Sequence, residues 1–252
     1  MAPWEKNYML TNRIDVLGVP VDCVDMKRSL DIVDQYVHGD KPESVIAVNP
    51  EKIIKARRDP KLLAQLREAG LLIPDGIGVV AAARMLGLGR MERVPGSELM
   101  PEICDLSARK GYPVYLLGGR PEINEKVAMA LKDRYKGIQI VGRQDGYYKD
   151  SEIHGVVENI KKSGAQIMFI ALGSPKQELW MREYLKNTHI KVCQGVGGTF
   201  DVLAGEVKRA PSAFRKMHLE WFYRLISDPR RVFRQAALPK FVFAVIRQKL
   251  LG

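Results

Sequence analysis

Along the chain, short runs of apolar residues alternate with segments whose apolar residues recur at helical spacing. The apolar runs occupy residues 44–50, 71–78, 113–119, 138–148, 165–180 and 190–201. At least four of them pass into turns that contain glycine. An apolar run closed by glycine or proline is typical of a buried strand. The repeated strand–turn–helix order predicts an α/β, Rossmann-like fold with a mostly parallel sheet and helices on both faces.

The intervening segments carry helix signals of their own. Residues 51–70 have helical spacing, a break at Asp59-Pro60 and a glycine at the end. Residues 79–86 are strongly apolar, and residues 121–135 have a proline near their start, where a helix tolerates it. No internal repeat or low-complexity linker interrupts this order.

Polar residues and glycines gather where the predicted strands end. The carboxyl ends of parallel strands share one edge of a sheet, and ligands bind there. The residues at this predicted edge are Asn49, Asp75, Gly118, Gly119, Gln177, Gly197, Gly198 and Asp201. Taken singly, each has a structural explanation, such as a helix cap before Pro50 or a Pro-Asp-Gly turn. Their shared edge favours a binding site.

Charge is concentrated at the C-terminal end. The chain has a net charge of +11, of which residues 208–252 carry +9. Such a tail indicates an anionic partner, either nucleic acid or phospholipid, although a solvated tail fits the charge alone equally well. The three cysteines are too few and too scattered for a disulfide framework. With no apolar signal core and no run of about 20 apolar residues, we expect a cytoplasmic protein without a transmembrane helix.

The sequence gives little support to metal or hydrolase chemistry. The histidines lack ligand spacing, and Asp150 and Glu152 predict a solvated helix start rather than an ion site. No Gly-x-Ser-x-Gly motif occurs. Two other classes stay open at this point. One is a nucleic-acid-binding protein that uses the basic tail, and the other is an NAD-dependent dehydrogenase, although Gly118-Gly119 falls short of the full glycine motif.

Five blocks, in their order and spacing, resemble the WecG/TagA/CpsF glycosyltransferases. They are LLIPDGIGVVAAARMLG, ERVPGSELM, VYLLGG, ALGSPKQELW and GVGGTFDVLAGEVKRAP, and the resemblance runs from about Ile14 to Phe241. It implies a GT-E type fold and an inverting, metal-independent glycosyltransferase. The sugar, N-acetylmannosamine or a related one, would pass from a UDP-sugar to an undecaprenyl-diphosphate-linked acceptor. The product would serve cell-surface polysaccharide or teichoic acid synthesis.

The resemblance also implies roles for single residues. Asp75 is expected to act as general base toward the acceptor hydroxyl. Asn49 and Gln177 are expected to contact the donor or acceptor sugar, and Arg93 the donor diphosphate. Family members often carry threonine where this chain has Ala47. The donor therefore stays open between N-acetylmannosamine, a hexose and a uronic acid.

Further roles concern the nucleotide. Tyr147 is expected to stack on uracil, and Asp201 to hydrogen-bond the nucleotide. Gly197 and Gly198 would shape the nucleotide pocket, and the Gly118-Gly119 turn is expected to contribute to substrate binding.

The tail is expected to complete the enzyme. Arg224, Arg231 and Arg234 match C-terminal arginines of the family that would stabilise the departing UDP. We expect residues 1–207 to form the catalytic core and residues 208–252 a basic, amphipathic appendage that closes over the pocket at an anionic membrane surface. The enzyme would be peripheral on the cytoplasmic face. Self-association through the core is an open possibility, and no nucleic acid, metal or other cofactor is expected.

Overall fold

A computed structural model describes residues 11–207, Phe214 and residues 237–251 of the chain. Its strands are β1 (Arg13–Val16), β2 (Val19–Asp22), β3 (Glu43–Val48), β4 (Leu71–Pro74), β5 (Val114–Gly118), β6 (Ile140–Gln144), β7 (Ile167–Ala171) and β8 (Val192–Gly195). Six of them form one sheet in the order β4-β3-β8-β7-β5-β6, in which every neighbouring pair is parallel. The predicted α/β fold is confirmed. The remaining two, β1 and β2, form an antiparallel hairpin.

Several of the helices begin at start signals that the sequence supplies. They are α1 (Met26–Val37), α2 (Pro50–Ala56), α3 (Pro60–Glu68), α4 (Ile77–Met85), α5 (Gly96–Lys110), α6 (Pro121–Arg134), α7 (Ile153–Lys162), α8 (Lys176–Tyr184), α9 (Thr199–Leu203) and α10 (Ala237–Leu251). Asn49 and Asp59 cap α2 and α3 with side-chain oxygens, and a proline takes the first position of each helix. The predicted break at Asp59-Pro60 is confirmed.

Two apolar cores lie on opposite faces of the sheet, because successive strand residues point to opposite sides. On β3, Ile46 and Val48 join the core that contains α2, α3, α4, α7, α8 and α10. Val45 joins the other core, which contains α1, α5, α6 and α9. A sheet that is covered on both faces explains why its strands are almost continuously apolar.

Some elements escaped the sequence analysis. The β1–β2 hairpin turns at Leu17 and Gly18, both with positive φ, and its strands are only four residues long. The helices α1 and α5 were also not predicted, and of α7 only the start near Asp150 was. The apolar run at 138–148 was predicted too long, since β6 ends at Gln144 and a turn follows at Asp145.

The C-terminal helix α10 packs on α2 and α4. Phe241 and Val245 are its buried residues. Gly78 of α4 lies close to α2, since a Cβ there would be 2.9 Å from Pro50 Cγ, while Phe241 Cε1 of α10 would be at an ordinary contact distance of 3.8 Å. Among the helices of the described residues, none combines the length and apolar character needed to cross a bilayer. The division into a core and an appendage at residue 208 stays a prediction.

Candidate functional site

The six parallel strands bring most of the predicted site residues to one edge of the sheet. In spatial order, the carboxyl ends of β4, β3, β8, β7, β5 and β6 and the segments that follow them carry Asp75, Asn49, Gly197 with Gly198 and Asp201, Gln177, Gly118 with Gly119, and Tyr147. Of these residues, Gln177 lies on α8 and Asp201 on α9. Neighbouring strands lie about 4.8 Å apart, so this row extends over about 24 Å. The loops therefore form an elongated site, with Asp75 near one end and Tyr147 at the other.

Asp75 is held on several sides. Its backbone N–H donates to Val48 O at 3.0 Å, and its Oδ1 accepts from the Gly96 N–H at 2.8 Å. Arg93 Nε donates to the Asp75 carbonyl at 3.0 Å, so the loop that precedes α5 is tied to the Asp75 turn. The Asp75 side chain is half-buried. The turn thus presents a carboxylate whose orientation is fixed by the start of a helix, where negative charge is favoured.

Asn49 lies directly beside this turn and caps α2. Its Oδ1 accepts from the Lys52 N–H at 2.8 Å, so the cap that the sequence suggested is confirmed. A Cβ on Gly76 would lie 3.5 Å from Asn49 Cβ and 2.9 Å from Pro50 Cδ, so only glycine lets the two loops approach this closely. The sugar contact expected of Asn49 stays a prediction.

A buried polar cluster, formed by Lys52, Gln177 and Glu178, lies behind these loops. Lys52 Nζ donates to Glu178 Oε1 at 2.5 Å, and Gln177 Nε2 donates to the same oxygen at 3.2 Å. Glu178 is fully buried, and Gln177 is only 4% exposed. Gln177 Oε1 and Glu178 Oε2 have no hydrogen-bond partner within the described chain. The cluster joins α2 to α8, and so links the loops that follow β3 and β7.

The two glycine pairs play different parts. Gly118 has φ of +109°, and a Cβ there would lie 2.5 Å from Ala171 O, so this glycine is required by packing. The Gly119 N–H donates to that same carbonyl at 3.1 Å, so its hydrogen bond is made within the protein. By contrast, a Cβ on Gly197, whose φ is +51°, would meet nothing within 4 Å. The loop after β8 is therefore the more open of the two.

Asp201 lies in the first turn of the short helix α9 and is half-buried. Its carboxylate is near the backbone of the loop after β8, since a Cβ on Gly198 would lie 3.7 Å from Asp201 Oδ2. The Asp201 carbonyl accepts from the N–H groups of Glu206 and Val207. Asp201 thus lies beside the Gly197-Gly198 loop, and the nucleotide contact expected of it stays a prediction.

The far end of the row carries two neighbouring tyrosines in opposite environments. Tyr147 is 72% exposed, while its backbone N–H is fixed by Asp145 Oδ1 at 2.8 Å. Tyr148 is half-buried, and burial raises its pKa to about 12. Lys176 lies over the Tyr148 ring at 5.8 Å. The exposed ring of Tyr147 is thus available to stack on a base, whereas Tyr148 belongs to the supporting structure.

The predicted tail residues Arg224, Arg231 and Arg234 lie outside the described residues. His38, His154 and His189 are exposed. Over residues 11–207 and 237–251, no three His, Cys, Asp or Glu side chains group closely enough to hold a metal ion. Asp150 and Glu152 form an exposed 3₁₀ turn before α7, as the solvated helix start required.

The residues that the sequence analysis missed are Lys52, Gly96, Glu178 and Gln194. Gln194 lies on β8, is 1% exposed, and donates from Nε2 to Gly96 O at 3.1 Å. A glutamine inside the apolar strand VCQG could have been recognised from the sequence as unusual. Its partner could not, and neither could that of Lys52, because the Gln194–Gly96 and Lys52–Glu178 contacts span 98 and 126 residues of the chain.

Comparison with known proteins gives two findings. The profile of the "Glycosyl transferase WecG/TagA/CpsF family" matches residues 14–252. A curated protein from Bacillus spizizenii is 36% identical over 214 residues, which cover 85% of this chain and 82% of that protein. It is named N-acetylglucosaminyldiphosphoundecaprenol N-acetyl-beta-D-mannosaminyltransferase.

Proposed function

The chain belongs to the WecG/TagA/CpsF glycosyltransferase family, and we propose that it transfers N-acetylmannosamine from its UDP derivative to a polyprenyl-diphosphate-linked N-acetylglucosamine. The observation that carries the proposal is the Asp75 turn, in which a half-buried carboxylate is oriented by the first N–H of α5 beside Asn49 and Arg93. The B. spizizenii relative, whose name specifies this sugar and this type of acceptor, supports the choice of substrates.

Asp75 acts as the general base in the proposed reaction. The acceptor hydroxyl oxygen attacks the anomeric carbon while Asp75 takes its proton, and the bond from that carbon to the UDP oxygen breaks. Attack from the face opposite UDP inverts the anomeric carbon. The fixed orientation of Asp75 supports this role, because a base contributes most when it is positioned before the substrate binds.

The departing UDP carries a developing negative charge, which we propose is stabilised by arginines without a metal ion. Arg93 is anchored to the Asp75 carbonyl and so lies next to the proposed base. Arg224, Arg231 and Arg234 would add to this stabilisation from the C-terminal tail. The nucleotide would extend along the row of strand ends, past the Gly197-Gly198 loop and Asp201, toward the exposed ring of Tyr147.

We further propose that the C-terminal region rests on an anionic membrane surface. Between α2 and α10 lies a groove of about 800 Å³ whose lining includes Arg57, Arg58, Lys240 and Arg247. Phe243 and Leu251 also line it and are 69% and 77% exposed, and the neighbouring Leu250 is 77% exposed. Exposed apolar side chains interleaved with cations suit the boundary between headgroups and acyl chains.

Co-sedimentation with vesicles tests the membrane contact. The protein should bind vesicles that contain phosphatidylglycerol, and binding should weaken as salt rises, because cations provide part of the attraction. Arg57→Gln/Arg58→Gln should bind less, whereas Lys132→Gln, an exposed residue on α6, should bind as the wild type does. Equal binding to neutral phosphatidylcholine vesicles would contradict an anionic surface as the partner.

A panel of donors tests the reaction. UDP-N-acetylmannosamine, the corresponding uronic acid and UDP-glucose are each supplied with a short-chain polyprenyl-diphosphate-linked N-acetylglucosamine and EDTA. We expect transfer from UDP-N-acetylmannosamine, unaffected by EDTA. Asp75→Asn should lower kcat by about 10²- to 10⁴-fold, as loss of a general base does.

Asp59→Asn is the matched control. Asp59 is also half-buried, and its side chain caps α3, a role that asparagine fulfils equally well. It should therefore retain wild-type activity. Full activity of Asp75→Asn would exclude Asp75 as the base, and transfer from a different donor would correct the sugar while leaving the base in place.

A further inference from the structure

Gln194 is a buried glutamine in the centre of the parallel sheet. It lies on β8, paired with Val45 of β3 and Phe169 of β7, and both neighbours are fully buried. Its Nε2 donates to Gly96 O at 3.1 Å, while its Oε1 has no hydrogen-bond partner in the part of the chain that the structure describes. A buried amide oxygen without a partner disfavours folding. Packing alone would be served better by an apolar residue.

The residue that Gln194 holds is the one that orients Asp75. Gly96 is the first residue of α5; its carbonyl accepts from Gln194, and its N–H donates to Asp75 Oδ1 at 2.8 Å. The N-cap residue before it is Pro95, whose side chain makes no capping hydrogen bond. The first turn of α5 therefore depends on contacts from other elements to fix the direction of the Gly96 N–H.

Among the atoms that surround Gly96, the Gln194 amide provides a directional contact. A Cβ built on Gly96 would lie 3.5 Å from Ala47 Cβ and 3.8 Å from both Gln194 Nε2 and Ile73 Cδ1. Side chains of β3, β4 and β8 thus surround Gly96, and of the three atoms nearest that Cβ only the Gln194 amide nitrogen is polar. Apolar contacts are not directional, whereas a hydrogen bond constrains the angle of the peptide group.

We propose that Gln194 is a positioning residue for the transfer reaction: by holding the Gly96 carbonyl, it fixes the N–H that aligns the Asp75 carboxylate. The inference rests on the proposed role of Asp75 as base. Gln194 itself touches no substrate in this scheme. Its effect therefore falls on kcat and passes through Asp75.

The test compares Gln194→Met and Gln194→Leu with the wild-type enzyme. Both replacements keep approximately the volume of glutamine and remove the amide, and the Gly96 carbonyl retains its place in the helical hydrogen-bond pattern. We expect a thermal midpoint that is unchanged or higher and a donor KM within about two-fold, whereas kcat falls by about ten-fold or more, as small misplacements of reacting groups produce.

Gln65→Met is the matched control. Gln65 is likewise a buried glutamine, 4% exposed, and its Oε1 also lacks a partner among the described residues, but it lies on α3. Its replacement should leave kcat unchanged. If Gln65→Met lowers kcat as much as Gln194→Met does, the effect is one of core polarity in general, and the proposal is wrong.

A double-mutant cycle with Asp75→Asn decides whether the effect passes through Asp75. In the Asp75→Asn background, Gln194→Met should cause no further loss of transfer activity, because the carboxylate that it aligns is absent. The same fold loss in both backgrounds would overturn the positioning role and leave Asp75 as base. A fully active Asp75→Asn enzyme would overturn both proposals, so the two failures are distinguishable.

Discussion

The two ends of the row of strand termini differ in how their functional groups are held. At the Asp75 end, the carboxylate, the Asn49 side chain and the Arg93 guanidinium all make hydrogen bonds within the protein. At the Tyr147 end, the loop backbone is fixed by Asp145, but the aromatic ring is 72% exposed. We infer that the two ends work differently. The groups proposed for chemistry are held in place before substrate binds, whereas the ring proposed for nucleotide recognition is held by the bound ligand.

This difference has a physical basis. A general base must be aligned to a fraction of an ångström before reaction, and any alignment left to the reaction step adds to the activation barrier. Stacking of a tyrosine on a nucleobase tolerates a range of ring positions, because every nucleobase offers a flat face. The buried polar cluster of Lys52, Gln177 and Glu178 and the Gln194–Gly96 contact lie toward the Asp75 end and the middle of the row.

The largest effect is expected from breaking the buried ion pair. Glu178→Gln leaves the Lys52 ammonium, only 7% exposed, without its counter-charge. Removal of one partner of a buried pair lowers the free energy of unfolding by about 3–5 kcal/mol. Equilibrium unfolding in urea measures it. We also expect a lower kcat in the folded fraction. The ion pair joins α2, which Asn49 caps, to α8, which contains Gln177, and both residues are proposed to contact substrate.

Two control variants separate the buried charge from the loss of any ion pair. Lys52→Met/Glu178→Leu removes both charges and should recover most of the lost stability, since apolar replacement of a buried pair is often neutral. Asp105→Asn breaks the exposed Arg109–Asp105 pair, where the Nε–Oδ2 distance is 2.8 Å, and should change stability by less than about 1 kcal/mol. A double variant as unstable as Glu178→Gln would show that packing volume, not charge, governs this region.

The sequence predicted the edge of the sheet better than it predicted what supports that edge. Asp75, Asn49 and Gln177 could be assigned to one edge because each follows an apolar strand, and parallel strands end together. The support could not be predicted, because Gln194 and Glu178 act on partners that only the folded chain brings near. Lys52 was hidden for a related reason: it shares a helix face with Ala56, and the sequence does not show that this face also holds a carboxylate.

The roles of the two Gly-Gly turns could not be predicted from the sequence either. The turns 118–119 and 197–198 look alike in sequence, and the resemblance gave both a part in substrate binding. In the structure, Gly118 is required by the approach of the Ala171 carbonyl, while nothing lies within 4 Å of a Cβ built on Gly197. That distinction depends on the position of a strand more than 50 residues further along the chain, so local pattern carries no trace of it.

A smaller effect is expected at the Tyr147 end of the row, where a substitution should weaken substrate binding without changing stability. Tyr147→Ala should raise the KM for the UDP-sugar by about 5- to 150-fold, since loss of a base-stacking aromatic weakens binding by about 1–3 kcal/mol. The thermal midpoint should stay unchanged, because the ring is 72% exposed and contributes little packing. Steady-state kinetics and a melting curve on the same preparation measure both quantities.

Tyr147→Phe and Tyr148→Phe complete this comparison. Tyr147→Phe keeps the stacking face and should keep a near wild-type KM, and Tyr148→Phe removes only the hydroxyl of a half-buried ring. Neither should reproduce the KM of Tyr147→Ala. If Tyr147→Ala instead lowers the thermal midpoint and leaves KM unchanged, the ring stabilises the fold and the nucleotide binds elsewhere along the row. The two ends would then no longer differ in the way proposed, because both would consist of groups committed to the protein itself.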